Sequence, residues 1–261
     1  VESRIKDPNI IRLIKRYLKG GIIKDFAYED TEEGSGQGSV CSPILANIYM
    51  HYILVWWFEE CIVPKLKGYG GLVVYADDFV VCFQYKEEAE LFYELLKKRM
   101  KIFGLEMEES KTRLIEFGRM AEQNRKARGE RKPETFEFLG FTHYCSKSRR
   151  GWFRVKRKTS KKKFAKKCRE LSQTMRAMRT WRLTDIFRKT NQILVGYYHY
   201  YGITDNGKSL QRMKRKVENL LFYWLNHRSQ KRSYNWDGFL ELLKAFPLAK
   251  PKIYVNIYQT G

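Results

Sequence analysis

Histidine and cysteine are scarce in this sequence, and neither is arranged for chemistry of its own. The four histidines, His51, His143, His199 and His227, lack the paired spacing of a zinc protease or an HNH-type nuclease, so packing or surface roles are expected of them. Cysteines number five, at Cys41, Cys61, Cys82, Cys145 and Cys168. They are odd in number, scattered and without a CxxC pair, which argues against a disulfide framework or a zinc ribbon and fits a reducing, cytoplasmic setting. No apolar run reaches the roughly 18 residues that would suggest a membrane span. The longest, around Ile44 to Phe58, is broken by Asn47 and His51. The opening VESRIKDP carries neither Met nor a signal-like pattern. Acidic residues are also outnumbered, 29 against 51 lysines and arginines in 261 residues, for a formal charge of +22 and a pI near 9.8. That surplus makes a polyanion the expected partner, nucleic acid before a membrane surface. The length allows one large core, or one core with a smaller module.

What is present reads as an α+β first half and a basic helical second half. Asp7-Pro8 followed by apolar residues at Ile10, Ile11, Ile14, Tyr17 and Leu18 predicts a capped amphipathic helix. After a polar, acidic, strand-like stretch comes GSGQGS. Ser42 and Pro43 then open a long helix whose apolar positions, Ile44, Leu45, Ile48, Tyr49, Tyr52, Ile53, Trp56 and Trp57, predict a well-buried element. GLVVYADDFVVCF places two β-branched and aromatic runs around an acidic centre, the pattern of a hairpin with carboxylates at its tip. A helix is expected from about Glu87 to Phe103, ended by Gly104. Ser110 to Phe117 is expected to be a strand, the following polar stretch a loop or frayed helix, and FEFLGFTHY a return to strand. From Ser146 to Glu170 there are 13 lysines or arginines and one acid, a shift that predicts a module boundary, with residues 1–145 before it and 146–261 after it. Beyond it, Thr184 to Tyr201 and Ser209 to Gln230 carry apolar residues at helical spacing.

The chemistry concentrates at Asp77 and Asp78. Adjacent carboxylates at a hairpin tip repel, and divalent cations relieve the repulsion. Two hard cations held there could activate a primer hydroxyl and stabilise leaving pyrophosphate during in-line displacement. Taken alone, Asp-Asp is more simply a polar turn. Its surroundings change that. QGSVCSP, YADDFVVCF, KTRLIEFGR, FEFLGFTHY and GYYHYYG follow one another in an order and spacing that resemble the reverse transcriptases and maturases of bacterial group II introns.

The resemblance implies a partial right-hand polymerase palm, an antiparallel sheet with helices, followed by an α-helical thumb or maturase domain. It implies RNA-directed DNA polymerase activity with two Mg²⁺ ions held by Asp77 and Asp78, of which Asp77 is the stronger candidate for binding both. Tyr75 and Ala76 would lie beside the primer end. Gln37 and Gly38, with Ser42 and Pro43, would line the nucleotide and template, although the family's Thr-Pro-Gln-Gly-Gly is here Ser35-Gly36-Gln37-Gly38-Ser39, so altered loop stiffness is expected. Lys111 would face the triphosphate and could neutralise or protonate the leaving group; it reads equally as a surface charge. Leu139 and Gly140 would form the turn that grips the primer, or simply part of a core hairpin. Partners would be group II intron RNA, an RNA/DNA duplex and deoxynucleoside triphosphates, in a bacterial cytoplasm. Tyr197 to Tyr201 on an apolar helix face fits helix packing better than base stacking.

The family also uses a third carboxylate on an earlier strand. Asp7 reads as a helix cap, while Asp25 and Asp30 lie where the family has no ligand, so none fits. The chain is therefore expected to be part of a longer enzyme and inert in synthesis alone. Two other readings stay open: a non-enzymatic RNA-binding splicing cofactor, and a reverse transcriptase of a retron or diversity-generating element. FEFLGFTHY with the long basic second half favours the intron family.

Overall fold

The computed structural model describes residues 5–18, 22–24, 27–29, 42–231 and 233–258. They fall into two compact units, Val1–Leu114 and Ile115–Gly261.

The first unit begins with helix α1 (Pro8–Leu18), whose first turn is capped by Asp7: its carboxylate accepts from the Asn9 amide at 2.8 Å. A short antiparallel pair follows, β1 (Ile22–Lys24) and β2 (Ala27–Glu29). Helix α2 (Ser42–Met50) then runs into π-helical turns over His51–Trp56 and Phe58–Ile62. The widened segment is tied down by Arg99. Its Nε donates to the Ile53 carbonyl at 2.6 Å and its Nη2 to the Tyr52 carbonyl at 3.2 Å, and the guanidinium lies 4.8 Å from the Trp57 ring centre. Strands β3 (Gly70–Tyr75) and β4 (Asp78–Phe83) form an antiparallel hairpin, and helix α3 (Lys86–Ile102) packs on it. The core of this unit comprises Ile53, Leu54, Trp57, Phe58 and Ile62 from the helical segment and Phe92, Leu96 and Met100 from α3, with Leu72, Val74, Phe79 and Val81 of the hairpin against it. Phe92 stacks on Trp57 and meets Phe58 edge-on, with ring centres 5.6 Å apart in both pairs. Truncating such a ring to alanine typically costs about 3–5 kcal/mol.

Burial along α2 departs from the sequence expectation. Ile44 is 61% exposed, and Ile48, Tyr49, Tyr52 and Trp56 are also exposed. The hairpin and α3 pack mainly against the second half of the helical segment, whereas α2 proper meets them near its C-terminal end, where the Tyr49 hydroxyl donates to the Phe103 carbonyl at 2.7 Å. Apolar periodicity marks a face able to be buried; it does not say how much of that face finds a partner. Ser110 to Phe117 is likewise no strand: Glu109–Lys111 form a turn and the rest is irregular. The Thr112 amide and hydroxyl both bond the Glu108 carbonyl at 3.0 Å, a local closure that competes with extended pairing.

The second unit starts with the short helix α4 (Ala121–Ala127), then a three-stranded antiparallel sheet ordered β5-β6-β7 (Phe136–Phe138, Phe141–Lys147, Phe153–Thr159). Four helices complete it, α5 (Lys161–Ala177), α6 (Leu183–Tyr201), α7 (Gly207–Leu225) and α8 (Trp236–Ala245). Their shared core includes Leu171, Met175, Phe187, Leu194, Tyr198, Leu210, Met213, Val217, Leu221 and Phe239. Each is at most 3% exposed, so helix packing rather than intrinsic propensity holds this half together. Among the described residues, no helix is long and apolar enough to cross a membrane. The architecture is mixed helix and small antiparallel sheets, as the α+β reading requires.

Candidate functional site

The β3–β4 hairpin sorts its side chains by strand alternation. Leu72 and Val74 pair with Val81 and Phe79 and lie against the core. The intervening residues, Val73, Tyr75, Asp78 and Val80, therefore point to the opposite face, where Val73 is 57% and Tyr75 62% exposed. Tyr75 and Asp78 form the last cross-strand pair, leaving Ala76 and Asp77 as a two-residue connection. Sequence thus puts one carboxylate on the outer face and the next at the tip, both accessible to water.

The tip is strained. Ala76 has φ +53°, a left-handed conformation that costs a residue with a Cβ about 1–2 kcal/mol and that glycine would adopt freely. Such outliers persist where the surroundings over-determine them and cluster at functional sites. A shallow cleft beside the tip is lined by Asn47, Met50, His51, Val55, Tyr75 and Ala76. The YADD motif marks Tyr75 and Ala76 in the sequence, whereas nothing local marks Asn47 and His51 as their neighbours. Their approach to the tip depends on how the helical segment packs, which no local pattern encodes.

Ser42 and Pro43 form the first turn of α2, where proline's missing N–H goes unneeded. Gln37 and Gly38 lie outside the described residues. Lys111 sits on the Glu109–Lys111 turn, strongly exposed, with Nζ 3.7 Å from the Glu108 carboxylate. The Ser110 hydroxyl, followed by Lys111, holds Glu108 below the usual carboxylate range. The structure therefore brings Tyr75, Ala76, Asp77 and Asp78 together and gives Lys111 an acidic neighbour of its own.

Hard carboxylate oxygens side by side suit a divalent cation. Among the described residues, no group of three or more His, Cys, Asp or Glu side chains forms a potential metal cage. Asp77 and Asp78 thus fit an ion as part of a ligand set, with phosphate oxygens, water or a further carboxylate needed to complete it.

In the second unit, Leu139 and Gly140 connect β5 to β6 with φ +49° and +77°, the two positive values that a type I′ hairpin turn requires. Leu139 is unusual there, since asparagine or glycine normally fills that position. A Cβ on Gly140 would come within 3.0 Å of the Tyr201 hydroxyl. Of the tyrosines in GYYHYYG, Tyr197 and Tyr198 are buried in the helical core, where loss of solvation pushes their phenol ionisation up. These two are packing residues; Tyr200 is 56% exposed. The first turn of α5 carries exposed Lys161, Lys162 and Lys163 and no acid, a surface that suits phosphate.

Residues 4–143 match the model of the reverse transcriptase (RNA-dependent DNA polymerase) family, and residues 161–238 match the group II intron maturase-specific domain. The group II intron-encoded protein LtrA of Lactococcus lactis subsp. cremoris is 26% identical over 132 residues, 47% of this chain and 22% of LtrA. An uncharacterized 91 kDa protein in a cob intron of Schizosaccharomyces pombe is 43% identical over 53 residues, 20% of this chain and 7% of that protein. The chain therefore spans only a small part of the length of these relatives. With the first match covering over half of it and the second following in order, the chain belongs to the reverse transcriptase family, in the group II intron branch that carries the maturase-specific domain.

Proposed function

We propose that this chain supplies the catalytic hairpin, primer-contacting turn and basic helical region of an RNA-directed DNA polymerase encoded by a group II intron, with a partial palm over residues 1–145 and the thumb or maturase region over 146–261. The observation that carries the reading is the Asp77–Asp78 pair, held on a strained two-residue turn and on the hairpin face turned away from the core. In this reading Asp77 and Asp78 hold two Mg²⁺ ions, which when bound neutralise phosphate charge and sharpen a primer hydroxyl as nucleophile. Tyr75 and Ala76 set the primer end beside the carboxylates. Ser42 and Pro43 position the start of α2 near nucleotide and template, together with Gln37 and Gly38. Lys111, its charge partly shared with Glu108, neutralises or protonates the leaving group at the triphosphate. Leu139 and Gly140 present backbone to the primer strand, and the α5 lysines bind phosphates of intron RNA and of an RNA/DNA duplex.

Primer extension on an RNA template with deoxynucleoside triphosphates and Mg²⁺ tests the proposal. In an enzyme that contains this palm, Asp77→Ala abolishes synthesis; undiminished synthesis in that variant would sink the reading. The isolated chain should be inert, because two adjacent carboxylates are only part of the ligand set that two ions need. Template-dependent synthesis by it, lost in Asp77→Ala, would show its ligand set to be sufficient. The maturase-specific match also supports a second reading, in which the chain promotes splicing by binding intron RNA without synthesis. Retained splicing stimulation in an Asp77→Ala, Asp78→Ala protein would show binding to be separable from catalysis.

A further inference from the structure

The Leu139–Gly140 turn is held from outside by the end of α6. The Tyr200 hydroxyl donates to the Leu139 carbonyl at 3.0 Å. Its ring lies parallel to Phe141, the residue that follows the turn, with centres 6.1 Å apart and planes at 9°. Tyr201 meets the same Phe141 edge-on at 5.2 Å, and its hydroxyl fills the space beside Gly140. Behind the turn, the Ser160 amide donates to the Gly140 carbonyl at 2.9 Å.

We propose that Tyr200 is a positioning residue for primer binding: its hydroxyl holds Leu139 in the left-handed conformation and so fixes where the Leu139–Gly140 backbone meets the primer strand. This rests on the reading of that turn as the primer contact. A leucine at φ +49° carries a steric penalty that glycine or asparagine would largely escape. A hydrogen bond to its carbonyl fixes the orientation of the peptide that the penalty would otherwise turn away, and the parallel Phe141 ring fixes the tyrosine that donates it. Tyr200 is 56% exposed, so burial of its ring does not account for this placement. Being largely in water, the phenol is also removable without opening the core. The consequence is that Leu139 takes its geometry from α6, in the maturase-specific segment, whereas Gly140 adopts its own freely.

The experiment uses the whole chain and compares affinity for an RNA/DNA duplex with a recessed primer end against a continuous duplex of the same length, by fluorescence anisotropy. Non-specific binding by the basic helices is common to both substrates, so the ratio reports the turn. Tyr200→Phe keeps the ring and loses the donor. It should lower the preference for the recessed end about fivefold, the size expected for one hydrogen bond, with thermal stability nearly unchanged. Adding Leu139→Asn creates Asn-Gly, which favours this turn intrinsically, and should restore the preference to within about twofold. Unchanged preference in Tyr200→Phe would overturn the proposal, as would a loss that Leu139→Asn fails to restore. Gly140→Ala separates primer contact by the turn from the role of the tyrosine. If it leaves the preference intact, or if the unaltered chain shows none, the primer-contact reading fails and the tyrosine's role with it; if Gly140→Ala is impaired and Tyr200→Phe is not, the tyrosine's role alone fails.

Discussion

The side-chain carbonyl of Asn206 accepts the backbone amide of Thr159 at 2.8 Å, joining the last residue of β7 to the residue before α7. Its amide group donates to the Thr159 hydroxyl at 2.9 Å and to the Tyr201 carbonyl at 2.8 Å. Asn206 is fully buried and Thr159 nearly so, so no water replaces these bonds. Asn206→Ala would strip the Thr159 amide and hydroxyl of this partner at once and leave the Tyr201 carbonyl only the Ile203 amide, 2.9 Å away. The expected loss is about 2–4 kcal/mol, read as a fall of roughly 5–12 °C in the midpoint of thermal unfolding. A variant that melts with the unaltered chain would show that the sheet and helices do not depend on this residue.

Ala76 gives a prediction in which stability and activity move in opposite directions. Glycine at φ +53° relieves the Cβ clash but adds freedom to the unfolded chain, so Ala76→Gly should be neutral or stabilising by up to about 1 kcal/mol. Ala76→Val, β-branched in the same conformation, should destabilise by about 1–2 kcal/mol. In a polymerising enzyme, the glycine variant should lose on the order of tenfold in kcat, because a looser tip no longer fixes Asp77 against Asp78. Thermal melting and single-nucleotide incorporation on the same preparations test both halves; a glycine variant with unaltered kcat would show the strain to be incidental.

Much of this arrangement could be read from residue order. The β-branched and aromatic runs of GLVVYADDFVVCF predict β3 and β4, and the carboxylates between them predict the tip. Asp7-Pro8 predicts the start of α1, the reading of α3 and α6 holds to within a residue at each end, and α7, expected to reach Gln230, ends at Leu225. The misses share a cause. Ile44, Ile48 and Trp56 have the periodicity of a buried helix, yet the elements that bury Ile53 and Phe58 do not reach them. Leu114 and Ile115 look like strand residues, but a strand requires a partner, and Glu108 closes a local turn just before them. The positive φ of Ala76 and Leu139 contradicts their residue types. It is imposed by what surrounds them, which is why neither signal exists in the local sequence.

Three lysines at the start of α5 run against the helix dipole, whose N-terminus favours negative charge. Lys162→Glu with Lys163→Glu should therefore stabilise the helix by about 0.3–1 kcal/mol per residue. The same pair should weaken binding to an RNA duplex and reduce the slope of log affinity against log salt by about 2, if each lysine meets one phosphate. For the unaltered chain, affinity should fall by roughly 10³–10⁵ between 50 and 200 mM salt if 6–10 phosphates are engaged. Weaker binding with an unchanged slope would mean that these lysines act other than by pairing with phosphate.

His143 lies between its cross-strand partners Phe136 and Arg157, with its ring parallel to that of Phe136 at 4.7 Å. Burial, followed by the nearby Arg157 charge, lowers its pKa from the ordinary 6.5. The unfolded chain therefore takes up this proton near pH 6.5, while the folded protein resists until the pH is lower. Between those two values the unfolded state binds more protons, so folding stability rises with pH. The contribution is complete above about 6.5, is lost as pH falls below it, and stops changing once the folded form is protonated too. His143→Phe keeps an aromatic ring against Phe136 and removes the titration. Its stability should decline less than that of the unaltered chain from pH 7.5 to 5, as measured by denaturant unfolding at each pH. The lowered glutamates Glu108, Glu116 and Glu130 are common to both proteins, so the difference between the two curves isolates His143. Curves that remain parallel through pH 6.5 would mean that the imidazole is as free to protonate in the folded sheet as in the unfolded chain.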